Sequence, residues 1–202
     1  MALNVDEQAR LEIAQMVQRV DVVVGTQHMN YCMECGTKLT VKPLKGEGDV
    51  PYCERCGTFV FPVFSTACSM IVMNPEQDKI LLIKQYGRKD YILVAGYVSK
   101  GEDAETAAIR EIREELGVEA AGIRFNRTHY FGPSNTLMIN FRVLLPSEEI
   151  HPNEEIDDWQ WFSLAEARKK VRPDSLARDF LVGMLDGEYH FHDEKYSISG
   201  RK

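Results

Sequence analysis

Long apolar runs are missing from this chain: nowhere do hydrophobic residues approach the ~18 uninterrupted positions that a membrane-crossing helix needs. The opening MALNVDEQAR lacks the basic start and apolar stretch of a secretory leader. Both absences lead to the expectation of a cytoplasmic protein with no membrane partner. Excess positive charge is missing too, with 24 Lys and Arg against 31 Asp and Glu and a formal net charge of −7. That balance argues against generic attraction to polyanions, although acidic proteins still take nucleotides through metal ions. No repeat of solenoid period and no low-complexity tract is visible. Cysteine is sparse and odd in number, at five, and four of the five fall as two close pairs. Such pairs suit metal ligation in a reducing compartment better than a disulfide framework.

What is present suits a packed protein. In 202 residues, 44% of them hydrophobic, there is room for one ordinary domain and a small module. From Asp6 to Val20 apolar residues recur at helical spacing, which predicts an amphipathic helix. That stripe has no obvious partner within the chain and is expected to pack on the domain or on a second subunit. Residues 29–62 change texture, being rich in Cys, Gly and Pro and poor in aliphatic periodicity, so they read as a separate module that needs a staple. Strands are predicted at Thr66 to Met73, Lys79 to Gln85 and Tyr91 to Ala95, followed by a helix from Asp103 to Leu116 that ends at Gly117. Further strands are predicted at Val118 to Tyr130, Leu137 to Leu145 and Trp159 to Phe162. Ser163-Leu-Ala-Glu166 forms a capping box that opens one helix, and Asp174 starts another. The resulting division is 1–28 helical segment, 29–62 cysteine module, 63–186 main domain and 187–202 tail.

Cys32-Met-Glu-Cys35 and Cys53-Glu-Arg-Cys56 are separated by 17 residues, and each is followed by glycine. This is the spacing of a four-thiolate Zn2+ site, in which each glycine permits the sharp turn that brings two sulfurs together. A closed four-sulfur shell leaves no open position, so its expected role is structural. Lys38, Lys42 and Lys45 lie between the pairs but are interspersed with Glu47 and Asp49, the pattern of a solvated face. Cys68 falls in an apolar strand and reads as a small buried hydrophobe.

Glu111, Glu114 and Glu115 are spaced i, i+3, i+4, which puts three carboxylates on one face of a helix. Like charges at this spacing cost a few tenths of a kcal/mol per pair, a cost that makes sense if a divalent cation gathers them. Hard oxygen donors select Mg2+ or Mn2+. Ile109, Ile112 and Leu116 lie on another face and can anchor the helix to a sheet. The segment REIREELG alone would also suit an ordinary acidic surface helix.

The 23 residues from Gly96 to Val118 match the Nudix box, GX5EX7REUXEEXGU with U aliphatic, at Gly96, Glu102, Arg110, Glu111, Ile112, Glu114, Glu115, Gly117 and Val118. The chain therefore resembles the Nudix hydrolase superfamily. With a zinc ribbon directly before the Nudix domain it is most similar to the NADH pyrophosphatase (NAD diphosphatase) family. Phe61-Pro62, Leu93-Val-Ala-Gly-Tyr97 and Ser175-Leu-Ala-Arg178 extend the resemblance from about Tyr31 to about Leu185. The stretch Thr128 to Thr136 keeps only the outline of that family's signature after the box.

The resemblance implies an α/β/α sandwich around a mixed sheet, preceded here by the zinc ribbon and the N-terminal helix. It implies metal-dependent hydrolysis of a nucleoside diphosphate derivative, such as an NAD(H)-type dinucleotide cut to mononucleotides. ADP-ribose or another nucleoside diphosphate conjugate is the alternative substrate, and a non-catalytic nucleotide sensor or nucleic-acid-binding module is the alternative class. Mg2+ or Mn2+ would be held by the Ala95 carbonyl, Glu111, Glu114, Glu115 and Glu155, with Glu154 as neighbouring alternative to the last. Arg110 would orient the glutamates and Glu102 would support the loop and helix. Tyr97 and Phe61 would line the pocket and stack on a nucleotide ring. Homodimers are common in the family, so a homodimer is expected, with no nucleic-acid partner expected except capped RNA.

Overall fold

Alternation of apolar residues in two adjacent strands divides the interior of the main unit into two cores. In β4 (Ser65–Met73), Cys68, Met70 and Val72 face one side of the sheet, while Ile71 and Met73 face the other. In β5 (Lys79–Gln85), Leu81 and Ile83 join the first set and Ile80 and Leu82 the second. Both strands are buried on both faces, as the central strands of a covered sheet must be. The computed structural model describes residues 30–187. The expected helix at Asp6 to Val20 and the tail beyond Gly187 lie outside the described residues.

These residues form two compact units. The first contains the described residues up to Ser65 together with Gly132–Asn135, and the second contains Thr66–Phe131 and the residues from Thr136 onward. In the first, β1 (Thr40–Leu44), β2 (Gly48–Cys53) and β3 (Thr58–Phe59) make a three-stranded antiparallel sheet. Lys42 lies 3.7 Å over the Tyr52 ring and pairs with Glu54 at 3.0 Å, so this lysine is already partnered. The 3-10 turn Gly132–Ser134 belongs to this unit because Ser65 N–H donates to the Asn135 carbonyl and Asn135 Nδ2 donates to the Val63 carbonyl.

The second unit is built on a six-stranded sheet. β6 (Val94–Tyr97) pairs antiparallel with β4, and β7 (Gly122–Phe131), β8 (Thr136–Leu144) and β9 (Ile156–Ser163) complete the order β7-β8-β4-β5-β9. Helix α1 (Ala104–Leu116) covers the first core through Ala107, Ala108, Ile112 and Leu116. Ile109, expected among the anchors, is only half-buried, and Ala107 and Ala108 take the buried positions beside it. Helices α2 (Leu164–Lys170) and α3 (Leu176–Leu185) cover the second core through Ala167, Phe180 and Leu181. The architecture is the expected α/β/α sandwich. Among the described residues no helix is long and apolar enough to cross a membrane.

Local chemistry sets the helix ends. The Asp103 side chain accepts from Thr106 N–H at the start of α1, and Gly117 ends the helix at φ 64. Ser163 and Glu166 form the reciprocal capping box of α2. Ser175, one residue after the expected Asp174, caps α3, since Asp174 itself holds a left-handed φ of 50. The strand expected at Tyr91 to Ala95 begins its ladder with β4 only at Val94. Tyr91 and Ile92 instead bridge singly to Val171 and Ile83.

At Gly117 a Cβ would lie 2.6 Å from the His151 carbonyl, whose residue is tied to the helix end through His151 N–H to the Leu116 carbonyl. Gly117→Ala is expected to lower unfolding free energy by roughly 2 kcal/mol or more, against about 1 kcal/mol for loss of the α2 cap in Ser163→Ala. Urea denaturation of the two variants checks this ranking, and a Gly117→Ala protein as stable as the parent would contradict it.

Candidate active site and metal centre

In the first unit the four cysteines converge. Gly36 and Gly57 follow the two pairs at φ 70 and 67, and each donates its N–H back to the first cysteine of its pair, Cys32 and Cys53. All four sulfurs lie within 4.8 Å of one another, with Cys35–Cys53 at 3.5 Å and Cys32–Cys56 at 3.9 Å. A disulfide would need about 2.05 Å, whereas zinc–sulfur bonds of about 2.3 Å in a tetrahedron separate the sulfurs by about 3.8 Å. Hydrogen bonds from Thr37 pull the Cys35 thiol down to about 6, and the neighbouring Cys35 and Cys53 sulfurs push Cys56 up to about 12. Sulfurs this close resist joint ionisation, and a tetrahedral dication removes that conflict. The cluster could hold zinc. Cys68 is fully buried, and burial pushes its thiol up to about 11, in keeping with a packing residue.

In the second unit α1 presents its glutamates around Arg110. The guanidinium donates to both oxygens of Glu102, at 2.8 and 3.0 Å, to Glu111 Oε1 at 2.8 Å and to Glu114 Oε2 at 3.1 Å. It also donates to the Tyr97 carbonyl at 3.0 Å. Glu102 in turn accepts from Ser99 N–H at 3.0 Å, so loop, strand β6 and helix are joined through one side chain. Arg110 holds the Glu102 carboxyl below its usual range. Glu111 lies directly over Gly96, where any Cβ would collide with its carboxylate. The box glycine is thus required by the glutamate fifteen residues later.

Glu115 differs from the others. It is 5% exposed, accepts from Gln85 Nε2 at 2.9 Å, and has no Lys or Arg partner among the described residues. Burial, reinforced by the charges of Glu111, Glu155 and Glu114, pushes its carboxyl up to about 8. Glu155 reaches the same locality. Its Oε2 accepts from the Tyr86 hydroxyl at 2.9 Å, and Tyr86 is itself pushed up to about 12 by burial and by Glu155, Glu115 and Glu111. The loop carrying Glu155 is fixed to α1 by Asn153 N–H to the Glu115 carbonyl. Glu154, like Glu155, is exposed.

Not all the expected ligands draw together. Among the described residues the cysteines form the one group of three or more donors within 4.8 Å of one another, and the glutamate oxygens do not reach that spacing. Arg110 takes an oxygen from Glu111 and from Glu114, and the Glu114 side chain is 57% exposed. Ala95 precedes Gly96 on β6, opposite Ser69. Tyr97 and Phe61 are both exposed, on separate units. His129 is exposed on β7. Sequence reasoning missed Gln85, the last residue of β5, and Tyr86 in the turn that follows, which bond Glu115 and Glu155. Tyr86 holds a φ of 55, a conformation bulky residues adopt rarely, yet nothing in the sequence around it announces a turn until Gly87.

The donor set suits a hard dication: a buried carboxylate without a Lys or Arg partner among the described residues, its proton affinity raised by the charges of Glu111, Glu155 and Glu114. A raised carboxyl pKa stabilises the fold below the ordinary value of 4.5, and that stability is lost as pH rises through about 8. In buffer without added divalent cation, the melting temperature is expected to fall by several degrees from roughly pH 5 to pH 8, and Glu115→Gln is expected to flatten the fall. Parallel melting profiles for parent and variant would contradict the assignment.

The NUDIX domain model matches residues 64–180. The NAD-capped RNA hydrolase NudC of Pseudomonas aeruginosa is 33% identical over 161 residues, covering 78% of this chain and 56% of that protein. Its counterpart in Pseudomonas fluorescens is 35% identical over 146 residues, covering 70% and 51%. The chain thus spans about half the length of these relatives. Among solved structures, a NUDIX hydrolase from Nitrosomonas europaea superposes with a TM-score of 0.59 at 21% identity over 81% of this chain and 94% of that one. The Escherichia coli dihydroneopterin triphosphate pyrophosphohydrolase gives 0.53 at 19% identity over 62% and 99%. These structural likenesses speak for the fold alone. With the family model covering more than half of its residues, the chain belongs to the Nudix family.

Proposed function

We propose that this chain is a Mg2+- or Mn2+-dependent pyrophosphohydrolase that cleaves the diphosphate of a nucleoside diphosphate derivative, most specifically an NAD(H)-type dinucleotide, into two mononucleotides. The observation that carries the reading is the buried Glu115 carboxylate, which has no cationic partner and faces Glu111 and Glu155 next to the box glycine. The metal, when bound, would neutralise pyrophosphate oxygens and lower the pKa of an attacking water. Glu111, Glu115 and Glu155 would hold it, with Glu114 and the Ala95 carbonyl as further donors.

The chain's own residues do the positioning. Arg110 fixes Glu111 and Glu114 against the loop through Glu102, so the carboxylates do not have to be ordered when substrate arrives. Gln85 orients Glu115 through Oε2, and Tyr86 orients Glu155. Any of the glutamates that is free of metal can accept the proton of water. Tyr97 is proposed to stack on the nucleotide ring. We also propose Zn2+ at the four cysteines as a structural ion, residues 29–62 and 63–186 as ribbon and hydrolase domains, a homodimer, and a cytoplasmic location. The relatives named as NAD-capped RNA hydrolases support an NAD-type diphosphate as the reacting group, whether free or at an RNA end.

The test is a panel of NADH, NAD+, ADP-ribose and NAD-capped RNA incubated with the purified chain and Mg2+ or Mn2+, with mononucleotide release followed by chromatography. Turnover of an NAD-type substrate is expected, with Glu111→Gln and Glu115→Gln each losing at least about 100-fold while keeping the parent's circular dichroism. Binding of a panel member without cleavage would overturn catalysis, and unchanged rates in both variants would remove the metal-site assignment.

A further inference from the structure

A second polar site lies at the other end of the sheet. Arg124 of β7 and Arg142 of β8 are direct cross-strand partners. They line a cavity of about 220 Å³ together with Met73, Gln77, Ile123 and Leu144. Like charges directly opposite one another on a strand pair are destabilising. Elsewhere Arg110, Arg113, Arg168 and Arg172 each pair with a carboxylate, but among the described residues neither Arg124 nor Arg142 does. Arg142 Nε is buried with no hydrogen-bond partner. Burial, with the Arg124 charge as second cause, lowers the affinity of the Arg142 guanidinium for its proton. A buried donor left unsatisfied in a native fold calls for an acceptor.

The register keeps this cavity away from the α1 carboxylates. Tyr97 pairs with Ala67 near the start of β4, while Met73 ends that strand at the cavity, six residues on and so about 20 Å away at the usual strand rise. We propose that Arg124 and Arg142 form a binding site for the phosphate group of a small phosphorylated ligand. The two cross-strand arginines carry the charge that balances a phosphate monoester of about −2, and a guanidinium's planar fork suits its oxygens bidentately. The Gln77 amide supplies a neutral polar group at the rim, and Met73 and Leu144 supply apolar lining. The volume lies below the roughly 300 Å³ at which pockets begin to enclose drug-sized ligands, so the site takes a phosphate with at most a small substituent inside. The proposal does not rest on the reaction assigned to the α1 site.

The test is a titration of the full chain with inorganic phosphate, without divalent cation, followed by the arginine Nε–Hε resonances in two-dimensional NMR spectra. The Arg142 resonance is expected to move saturably, and Arg142→Gln or Arg124→Gln is expected to weaken phosphate binding about tenfold. The Arg124 variant serves should the Arg142 one fail to fold. Adenosine monophosphate distinguishes sources: tighter binding than phosphate identifies a nucleotide ligand, and equal binding identifies the phosphate alone, both within the proposal. It is overturned if the resonance stays still, if chloride at equal ionic strength moves it as far, if neither variant weakens binding, or if an RNA oligomer moves it where phosphate does not.

Discussion

Arg110 stands among carboxylates that would otherwise repel, taking Glu102 through two bonds and Glu111 and Glu114 through one each. Around this ion cluster the loop from Ser99, the carbonyl of Tyr97 and the middle of α1 are held in register. Glu115, one turn beyond Glu111 on the buried side of the helix, is left out of the arrangement and receives only the neutral Gln85 amide. A buried anion without a counter-charge is costly in any protein. Here that cost falls within reach of the charges of Glu111 and Glu155, which raise the Glu115 carboxyl further, and strongly perturbed groups of this kind are candidates for functional sites. Gly96 completes the constraint, since the strand can pass beneath Glu111 only without a side chain.

The sandwich serves this placement. Helix α1 is fixed to the sheet by Ile112 and Leu116, each worth about 1.5 to 3 kcal/mol on full burial, and both lie beside the glutamates in sequence. The loop tied to the C-terminal end of α1 carries Glu155 to the same end of the sheet at which β5 delivers Gln85 and Tyr86. Polar groups are also satisfied inside the sheet. The register shift between Phe125 and Arg127 turns Asn126 inward, where its amide donates to buried Asn140, which donates in turn to the Ser69 carbonyl. The three-stranded unit has little apolar interior of its own, and its cysteine cluster could hold the ion that would serve as the staple its size requires.

Much of this could be read from residues alone where local rules suffice. The strand Lys79–Gln85 follows from its apolar run, the ends of α1 from Asp103 and Gly117, and the start of α2 from Ser163 and Glu166. Cysteine spacing predicted the sulfur cluster because knuckle turns are local. What depends on pairing between distant segments was not accessible in this way. Whether Glu154 or Glu155 faces the helix is decided by Tyr86, sixty-nine residues before Glu155. The isolation of Glu115 depends on which side of α1 the sheet covers, and Arg124 meets Arg142 only through the register of β7 on β8. The assignment of Gly132–Asn135 to the first unit rests on bonds to Val63 and Ser65 that no periodicity encodes.

The central claim is that the Glu115 carboxylate gives up its proton to a divalent cation. Calorimetric titration of Mn2+ into the chain near pH 7, in two buffers of different ionisation heat, measures this directly. Binding should release about one proton per ion in the parent, and Glu115→Gln should bind more weakly with no such release. Equal affinity and equal proton release in parent and variant would contradict the account.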